Sequence, residues 1–138
     1  MKVIGFDHLV LTVASIERTV AFYTRALGMT HELFGPDRRS ALRFGPHKIN
    51  LHQTDHMFSP RAECPIPGSG DICFLVDDFD GVQEQLAANG VPILVLPSER
   101  TGARGALRSI YIRDPDGNLV ELSTYADPHL KAAGAADV

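Results

Sequence analysis

His8-Leu-Val-Leu-Thr-Val13 and Asp71-Ile-Cys-Phe-Leu-Val76 open two stretches of the sequence that repeat the same order of features. Each opening alternates or is mostly apolar, which predicts a strand, and each is followed by a helix-like segment that ends at Leu27-Gly28 or Asn89-Gly90. Three short strand-like segments follow in each stretch. An internal repeat restricts the possible architectures more strongly than local propensity does. The sequence therefore predicts two copies of one β-α-β-β-β unit.

Each copy closes with a strand that ends on a residue able to bind a metal. The first copy closes at Asn50-Leu-His52 and the second at Asn118-Leu-Val-Glu121. With His8 and Asp71 at the two openings, four such residues stand at matching points of the copies. Because alternate residues of a strand share a face, each would point away from the apolar stripe that a helix covers. The repeat thus predicts a metal site as well as a fold.

The predicted element boundaries follow from caps and turn residues. Ser15 is the expected N-cap of a helix that continues to residue 27, and Gly28 is its expected terminator. The second helix is predicted over residues 78–89. Strands are predicted over residues 6–13, 30–35, 40–45, 48–53, 71–76, 92–96, 107–113 and 118–124. Asp114-Pro-Asp-Gly117 is a strong turn signal.

The chain length fits one domain built from these two modules. We predict a single domain over residues 1–138, with module one at 1–53, a Pro-, Gly- and Ser-rich linker at 54–69, module two at 70–125 and a fraying tail at 126–138. Cys64 and Cys73 do not form a disulfide framework.

Charge and hydropathy exclude two classes of partner. The net charge of −4 gives no basic field for nucleic acid. No apolar run approaches the ~20 residues of a membrane span, and no leader peptide is evident at the N-terminus, so a cytoplasmic protein is expected. A small-molecule substrate is the expected partner.

Three motifs resemble the vicinal oxygen chelate superfamily, which includes glyoxalases, bleomycin-resistance proteins and extradiol dioxygenases. They are Asp7-His-Leu-Val-Leu-Thr-Val13, Ala21-Phe-Tyr-Thr-Arg-Ala-Leu-Gly28 and Asp114-Pro-Asp-Gly-Asn-Leu-Val-Glu-Leu122, and the likeness covers about residues 5–125. Arg100-Thr-Gly-Ala103, taken with the third motif, further resembles a subgroup of glyoxalase-domain-containing proteins. The resemblance implies an α+β fold in which two βαβββ modules form a U-shaped, barrel-like sheet. Because each module exposes a sheet edge and has an incomplete core, we expect the two modules to pair within one chain and two chains to form a homodimer.

The resemblance assigns roles to the four potential ligands. His8 matches the first-strand ligand of module one, His52 its last-strand position, and Glu121 the last-strand ligand of module two. Asp71 stands where many members have a histidine, so it either coordinates, binds through water or caps the strand. A set of two histidines with carboxylates suits a divalent transition ion such as Zn²⁺, Ni²⁺, Co²⁺, Mn²⁺ or Fe²⁺.

The implied function is that of a metal-dependent enzyme acting on a substrate with vicinal oxygens. A glyoxalase-like lyase or isomerase reaction ranks first, with Glu121 as the expected catalytic residue and either Glu121 or Asp71 as the general base. Extradiol-type dioxygenase chemistry ranks lower, because His52 replaces the usual location of the second histidine. A metal-free drug-binding protein, as in bleomycin resistance, is the remaining alternative.

Two further features bear on substrate binding. Tyr111 would lie across from Glu121 if the Asp-Pro-Asp-Gly turn carries a bulge with a glycine in the left-handed region. Tyr111 is then a candidate substrate-binding residue, although an ordinary strand aromatic explains it equally well. Arg100, Arg104 and Arg108 lie in or beside a Gly-containing loop. They either bind a substrate carboxylate or phosphate or form a solvated basic loop.

Overall fold

The computed structural model describes residues 1–131, and residues 132–138 of the predicted tail lie outside the described part. The chain divides into two compact units, Met1–Pro67 and Gly68–Val138. Unit one contains β1 (Leu9–Val13), α1 (Ile16–Arg25), β2 (Thr30–Phe34), β3 (Arg39–Phe44) and β4 (His47–Gln53). Unit two contains β5 (Asp71–Leu75), α2 (Val82–Ala88), β6 (Ile93–Thr101), β7 (Ala106–Arg113), β8 (Leu119–Tyr125) and the short α3 (Pro128–Lys131).

Each unit builds a four-stranded mixed sheet with the same connectivity. The strand orders are β1-β4-β3-β2 and β5-β8-β7-β6. The first and last strands of each repeat, β1 with β4 and β5 with β8, pair in parallel, and the other neighbours are antiparallel. This arrangement confirms the predicted α+β class and the repeated β-α-β-β-β order. None of the helices in residues 1–131 has the length and hydropathy needed to cross a membrane.

Helix α1 forms where the sequence predicts it. The Ser15 hydroxyl caps its N-terminus by accepting a hydrogen bond from the Arg18 backbone N–H at 3.2 Å. Gly28 follows the helix with a φ of 68°, a conformation that glycine adopts without strain. Thr19 and Tyr23 are buried, and α1 packs on β2, β3 and β4. This packing fixes one face of the sheet as the core.

Helix α2 is shorter than predicted, beginning at Val82 instead of residue 78. The Asp78 carboxylate accepts a hydrogen bond from the Gly81 backbone N–H at 3.1 Å, which stabilises a turn where the first helical turn was expected. Val82 and Leu86 supply its buried face. The prediction of residue 78 as the start of this helix is therefore wrong by four residues.

Two strands also differ from their predicted limits. Strand β1 begins at Leu9, not at residue 6, and residues 1–8 are exposed. Strand β6 continues to Thr101, beyond the predicted end at residue 96, although it contains Pro97. Because β6 is the outer strand of its sheet, the missing proline N–H is tolerated there, and the register with β7 shifts around it.

The turn between β7 and β8 sets the register of unit two. Gly117 has a φ of 86°, and its backbone N–H donates to the Asp114 carbonyl at 3.0 Å. The Asp114 backbone N–H donates to the Asn118 carbonyl at 3.1 Å, which closes the bulged turn. In the resulting register Tyr111 is directly opposite Glu121, as the bulge hypothesis required.

Candidate functional site

In unit one, the residues that the sequence singles out lie on the sheet face opposite the core stripe. Ile49 and Leu51 of β4 are part of the apolar core, so Asn50 and His52 point to the other side. Strand β1 pairs in parallel with β4, and this pairing places Thr12 beside His52. The alternation predicted from the sequence therefore holds for β4.

His52 is a buried histidine with an unsatisfied ring nitrogen. Only 6% of the residue is exposed, and its Nδ1 has no hydrogen-bond partner within the described residues. The Oδ1 of Asn50, on the same face, is likewise buried and without a partner there. Buried polar atoms are nearly always hydrogen-bonded, so two unpaired atoms on one face of the sheet indicate a place where a ligand binds. A divalent cation with its water would satisfy both atoms, and the donor types fit such an ion.

The surroundings of His52 keep its imidazole neutral. Burial lowers the pKa of His52, and the positive charges of Arg39 and Arg61 lower it further. The Phe58 ring packs edge-on against His52 at 5.6 Å between centroids, and the Arg39 guanidinium lies 3.8 Å from the centre of the Phe58 ring. Neutral imidazole is the form that binds metals, and burial, the largest cause of the lowered pKa, favours that form of His52.

His8 lies immediately before β1 and is more accessible. Its side chain is 43% exposed, and its Nδ1 is 2.6 Å from an Asp7 carboxylate oxygen. The hydrogen bond to His8 is the main cause of a lowered pKa for Asp7. A carboxylate bonded to one ring nitrogen fixes the imidazole orientation and leaves the other nitrogen available, as in carboxylate–histidine–metal triads. The geometry thus suits a ligand, although sequence reasoning gave Asp7 no role.

In unit two, Glu121 stands within a chain of polar side chains on one face of the sheet. Ser123 Oγ donates to Glu121 Oε1 at 3.3 Å. Ser123 Oγ also lies 2.7 Å from Ser109 Oγ and 3.3 Å from Cys73 Sγ. Ser109 and Ser123 have no exposed surface. This face therefore carries a connected polar cluster in place of a second apolar core.

Valence fixes the direction of each hydrogen bond in this cluster. A hydroxyl carries one proton, and Ser123 gives its proton to Glu121, which when ionised only accepts. Ser109 and Cys73 must then donate to Ser123. Burial raises the pKa of Cys73, which keeps its thiol protonated and able to donate. Ser123 is thereby fully satisfied, with one donated and two accepted bonds, and Glu121 keeps lone pairs free.

The other predicted residues of unit two share this face. Asp71 begins β5, two residues before Cys73, which pairs with Glu121. Tyr111 is opposite Glu121 on the other side. The Arg100 side chain donates from its Nε to the Tyr111 hydroxyl at 3.1 Å. Asp71, Glu121 and Tyr111 are therefore neighbours within one sheet.

The four predicted ligands fall two and two into the two units, His8 and His52 in the first and Asp71 and Glu121 in the second. Within residues 1–131, no group of three or more His, Cys, Asp or Glu side chains is arranged to hold a metal ion. Their convergence on one ion remains a prediction. Sequence reasoning missed the roles of Asn50, Ser109 and Ser123, whose one signal was that they are polar residues within predicted strands.

Comparison with known proteins settles the family. The family model described as Glyoxalase/Bleomycin resistance protein/Dioxygenase superfamily matches residues 5–122. The chain belongs to this superfamily. It is 48% identical over 128 residues to the glyoxalase domain-containing protein RDO1 of Mycosarcoma maydis, covering 92% of this chain and 72% of that protein. It is 49% identical over 120 residues to virulence protein STM3117 of Salmonella typhimurium, covering 86% of this chain and 83% of that one.

Solved structures extend the comparison. The crystal structure of STM3117 matches with a TM-score of 0.88, covering 91% of this chain and 100% of that one at 47% identity. The lactoylglutathione lyase of Agrobacterium tumefaciens matches with a TM-score of 0.64 at 25% identity, covering 86% and 92% of the two chains. Fold likeness extends to TnmS3, an antibiotic-binding protein from Streptomyces, with a TM-score of 0.70 at 20% identity and coverage of 91% and 99%. The fosfomycin resistance protein FosX of Listeria monocytogenes, complexed with Mn(II) and a dihydroxypropylphosphonic acid, matches with a TM-score of 0.63 at 22% identity and coverage of 91% and 93%.

Proposed function

We propose that this protein is a divalent-metal-dependent enzyme that performs a glyoxalase-like lyase or isomerase reaction on a small substrate with vicinal oxygens. His8, His52 and Glu121 would hold the ion, with Asp71 beside it. The observation that carries the proposal is the buried, unpartnered Nδ1 of His52, whose neighbours keep the ring neutral. Burying that atom without any partner would cost stability, and a bound ion on this face of the sheet would supply a partner.

A bound divalent ion would supply Lewis acidity for an oxyanion of the substrate. The side chains of the protein would orient the substrate and supply the base. Ser123 holds one Glu121 oxygen, so the other oxygen has a defined direction for binding or proton transfer. Tyr111, directly opposite Glu121, is placed to contact the substrate.

Two alternatives compete with this proposal. An extradiol-type dioxygenase would use the same residues with Fe²⁺, since two histidines and one carboxylate suit that ion. A binding protein without metal, as the antibiotic-binding neighbour suggests, would not require Glu121 or a neutral His52. The hydrogen-bonded Glu121 carboxylate and the buried, unpaired Nδ1 of His52 together favour metal chemistry.

The test measures metal binding and turnover in the Glu121→Gln variant. Metal-free protein is titrated calorimetrically with Zn²⁺, Ni²⁺, Co²⁺, Mn²⁺ and, anaerobically, Fe²⁺, and each loaded form is screened with thiol adducts, α-hydroxycarbonyls and catechols. We expect metal affinity to fall at least tenfold in Glu121→Gln and turnover to fall by orders of magnitude. Metal-free stability should stay the same or rise, because converging polar groups repel less.

Glu84→Gln is the matched control, since Glu84 is an exposed carboxylate in the first turn of α2. It should bind metal as the unmodified protein does. Full metal affinity and activity in Glu121→Gln would make Glu121 a structural acid and would refute the proposed site. Turnover of catechols with Fe²⁺ alone would favour the dioxygenase, and failure of every metal to bind would favour the binding protein.

A further inference from the structure

Two arginine side chains lie on the same sheet face as Glu121, at the end formed by the β6–β7 hairpin. Arg100 pairs with Leu107 across β6 and β7, and Leu107 pairs with Tyr125 of β8, so these three residues form one row. The Arg104 guanidinium lies 4.8 Å from the centre of the Tyr125 ring. The hairpin is closed by the Gly102 backbone N–H, which donates to the Gly105 carbonyl at 2.8 Å.

Arg100 is oriented by its contacts. Its Nε donates to the Tyr111 hydroxyl at 3.1 Å and its Nη1 to the Glu99 carbonyl at 2.9 Å. Ser98 pairs with Ser109, and Tyr111 lies two residues farther along β7, directly opposite Glu121. To reach the Tyr111 hydroxyl, the Arg100 side chain therefore extends along this face in the direction of Glu121. The Ser98 hydroxyl is buried and has no partner within the described residues. The unpaired Ser98 hydroxyl and the Arg100 guanidinium, which has more N–H donors than the two used here, therefore lie on the same face of the sheet.

Neither Arg100 nor Arg104 is neutralised in the part of the chain that the structure describes. No carboxylate within residues 1–131 lies at ion-pair distance from either guanidinium. Arg108, by contrast, has its Nη1 at 3.6 Å from an Asp80 carboxylate oxygen and its guanidinium over the Phe79 ring. By strand alternation Arg108 points to the opposite face of the sheet from Ser109 and Tyr111. One arginine of the cluster is therefore paired with a carboxylate, and the charges of the other two have no carboxylate partner within residues 1–131.

We propose that Arg100 and Arg104, with the Tyr111 hydroxyl and Ser98, form a binding site for the anionic group of the substrate. Planar guanidinium donors match the oxygens of a carboxylate or of a phosphate or phosphonate. Tyr111 separates this site from Glu121, so a small substrate can place its anionic group at Arg100 and its vicinal oxygens near Glu121. The inference rests on the proposed function only in taking the bound anion to be part of the substrate.

The experiment measures anion binding in metal-free protein, so it does not depend on the metal site. Glycolate and methylphosphonate are titrated while the Nε–H signals of the arginines are followed by two-dimensional NMR. Glycolamide, the neutral isostere of glycolate, is the ligand control. We expect saturable shifts of the Arg100 signal with at least one anion and none with glycolamide. The anion that binds more tightly identifies the carboxylate or the phosphonate class.

Three variants locate the site. Dissociation constants should rise at least tenfold in Arg100→Ala and by a smaller factor in Tyr111→Phe, because the lost guanidinium bonds are charge-assisted. Arg108→Ala is the matched control and should bind as the unmodified protein does. Equal binding of glycolamide, no saturation with either anion, or equal weakening in Arg108→Ala would each overturn the inference.

The outcome is separable from that of the proposed function. Anion binding at Arg100 in a protein that binds no divalent metal would refute the metal enzyme and leave this site standing. Metal binding that depends on Glu121, with no saturable anion binding, would support the metal enzyme and refute the anion site. Thermal unfolding of Arg100→Ala should match the unmodified protein, since Arg100 is exposed, so lost binding cannot be attributed to unfolding.

Discussion

Ser123 is the residue that organises the polar face of unit two. It is the shared partner of Glu121, Ser109 and Cys73, and it donates a hydrogen bond to the Glu121 carboxylate. Outer contacts of this type fix the direction of ligands and tune their affinity. If Glu121 binds a metal, Ser123 should therefore influence that binding without touching the ion.

We expect Ser123→Ala to lower the free energy of unfolding by about 1–3 kcal/mol, because the Ser109 hydroxyl loses its buried acceptor. In Ser109→Ala/Ser123→Ala both partners are gone, so the combined loss should be smaller than the sum of the single losses. Urea denaturation of the four proteins measures this coupling. Ser59→Ala is the control, because Ser59 is exposed. Strict additivity would contradict the hydrogen-bond assignment.

The same variants test the link to the metal. Ser123→Ala should weaken metal affinity roughly tenfold, whereas Ser59→Ala should not change it.

The sequence could predict Glu121, because an acid among Leu119, Val120 and Leu122 requires an explanation. The Ser109–Ser123 contact depends on the register of β7 and β8, which the sequence predicts only if the turn carries a bulge, and the structure shows that bulge at Gly117.

The hairpin β7–β8 is the element that positions Glu121, and Asn118 joins it to β5. The Asn118 side-chain amide donates to Asp114 Oδ2 at 2.7 Å and accepts from the Gly70 backbone N–H at 2.7 Å. Asn118 is 1% exposed. The amide therefore ties the turn to the residue before β5, where Asp71 stands.

We expect Asn118→Ala to cost about 2–4 kcal/mol of stability, because two buried hydrogen bonds are lost and the groups they satisfied remain. Amide exchange at Gly70 should accelerate before exchange in the core strands does. Urea denaturation and hydrogen-exchange NMR measure these effects. Asn89→Ala, at an exposed helix end, should change stability by no more than about 0.5 kcal/mol. If amide exchange at Gly70 were unchanged, the hydrogen bond between Gly70 and the Asn118 side chain would not be what holds the turn to β5.

Strongly patterned elements were predicted well and their ends poorly. Helix α1 has an N-cap serine and a terminating glycine, and both act as expected. The start of α2 was misplaced because the Asp78 side chain competes with the helix for the Gly81 backbone N–H. The extension of β6 through Pro97 reflects its place at the edge of the sheet, which only the topology reveals.

At the scale of the whole molecule, exposed apolar residues indicate an assembly partner. Val3, Ile4 and Phe6 are at least 83% exposed. They precede Leu9 and Val10 of the edge strand β1, which are each 42% exposed. Several exposed apolar residues close together in sequence, beside the edge strand of a sheet, favour association over a monomeric state. Since the exposed sheet edge of each module also predicts a homodimer, we expect a second copy of this chain to cover these residues.

Sedimentation velocity at several concentrations should give a mass of twice the 15.0 kDa of one chain. Ile4→Lys/Phe6→Lys should shift the mass toward one chain, because burying two ammonium groups in an interface is costly.

Leu33→Lys is the matched control. Leu33 is 45% exposed on β2, the other edge of the same sheet, and its change should leave the dimer intact. A one-chain mass for the unmodified protein at every concentration would refute the dimer. Dissociation in Leu33→Lys but not in the double variant would move the interface to the β2 edge.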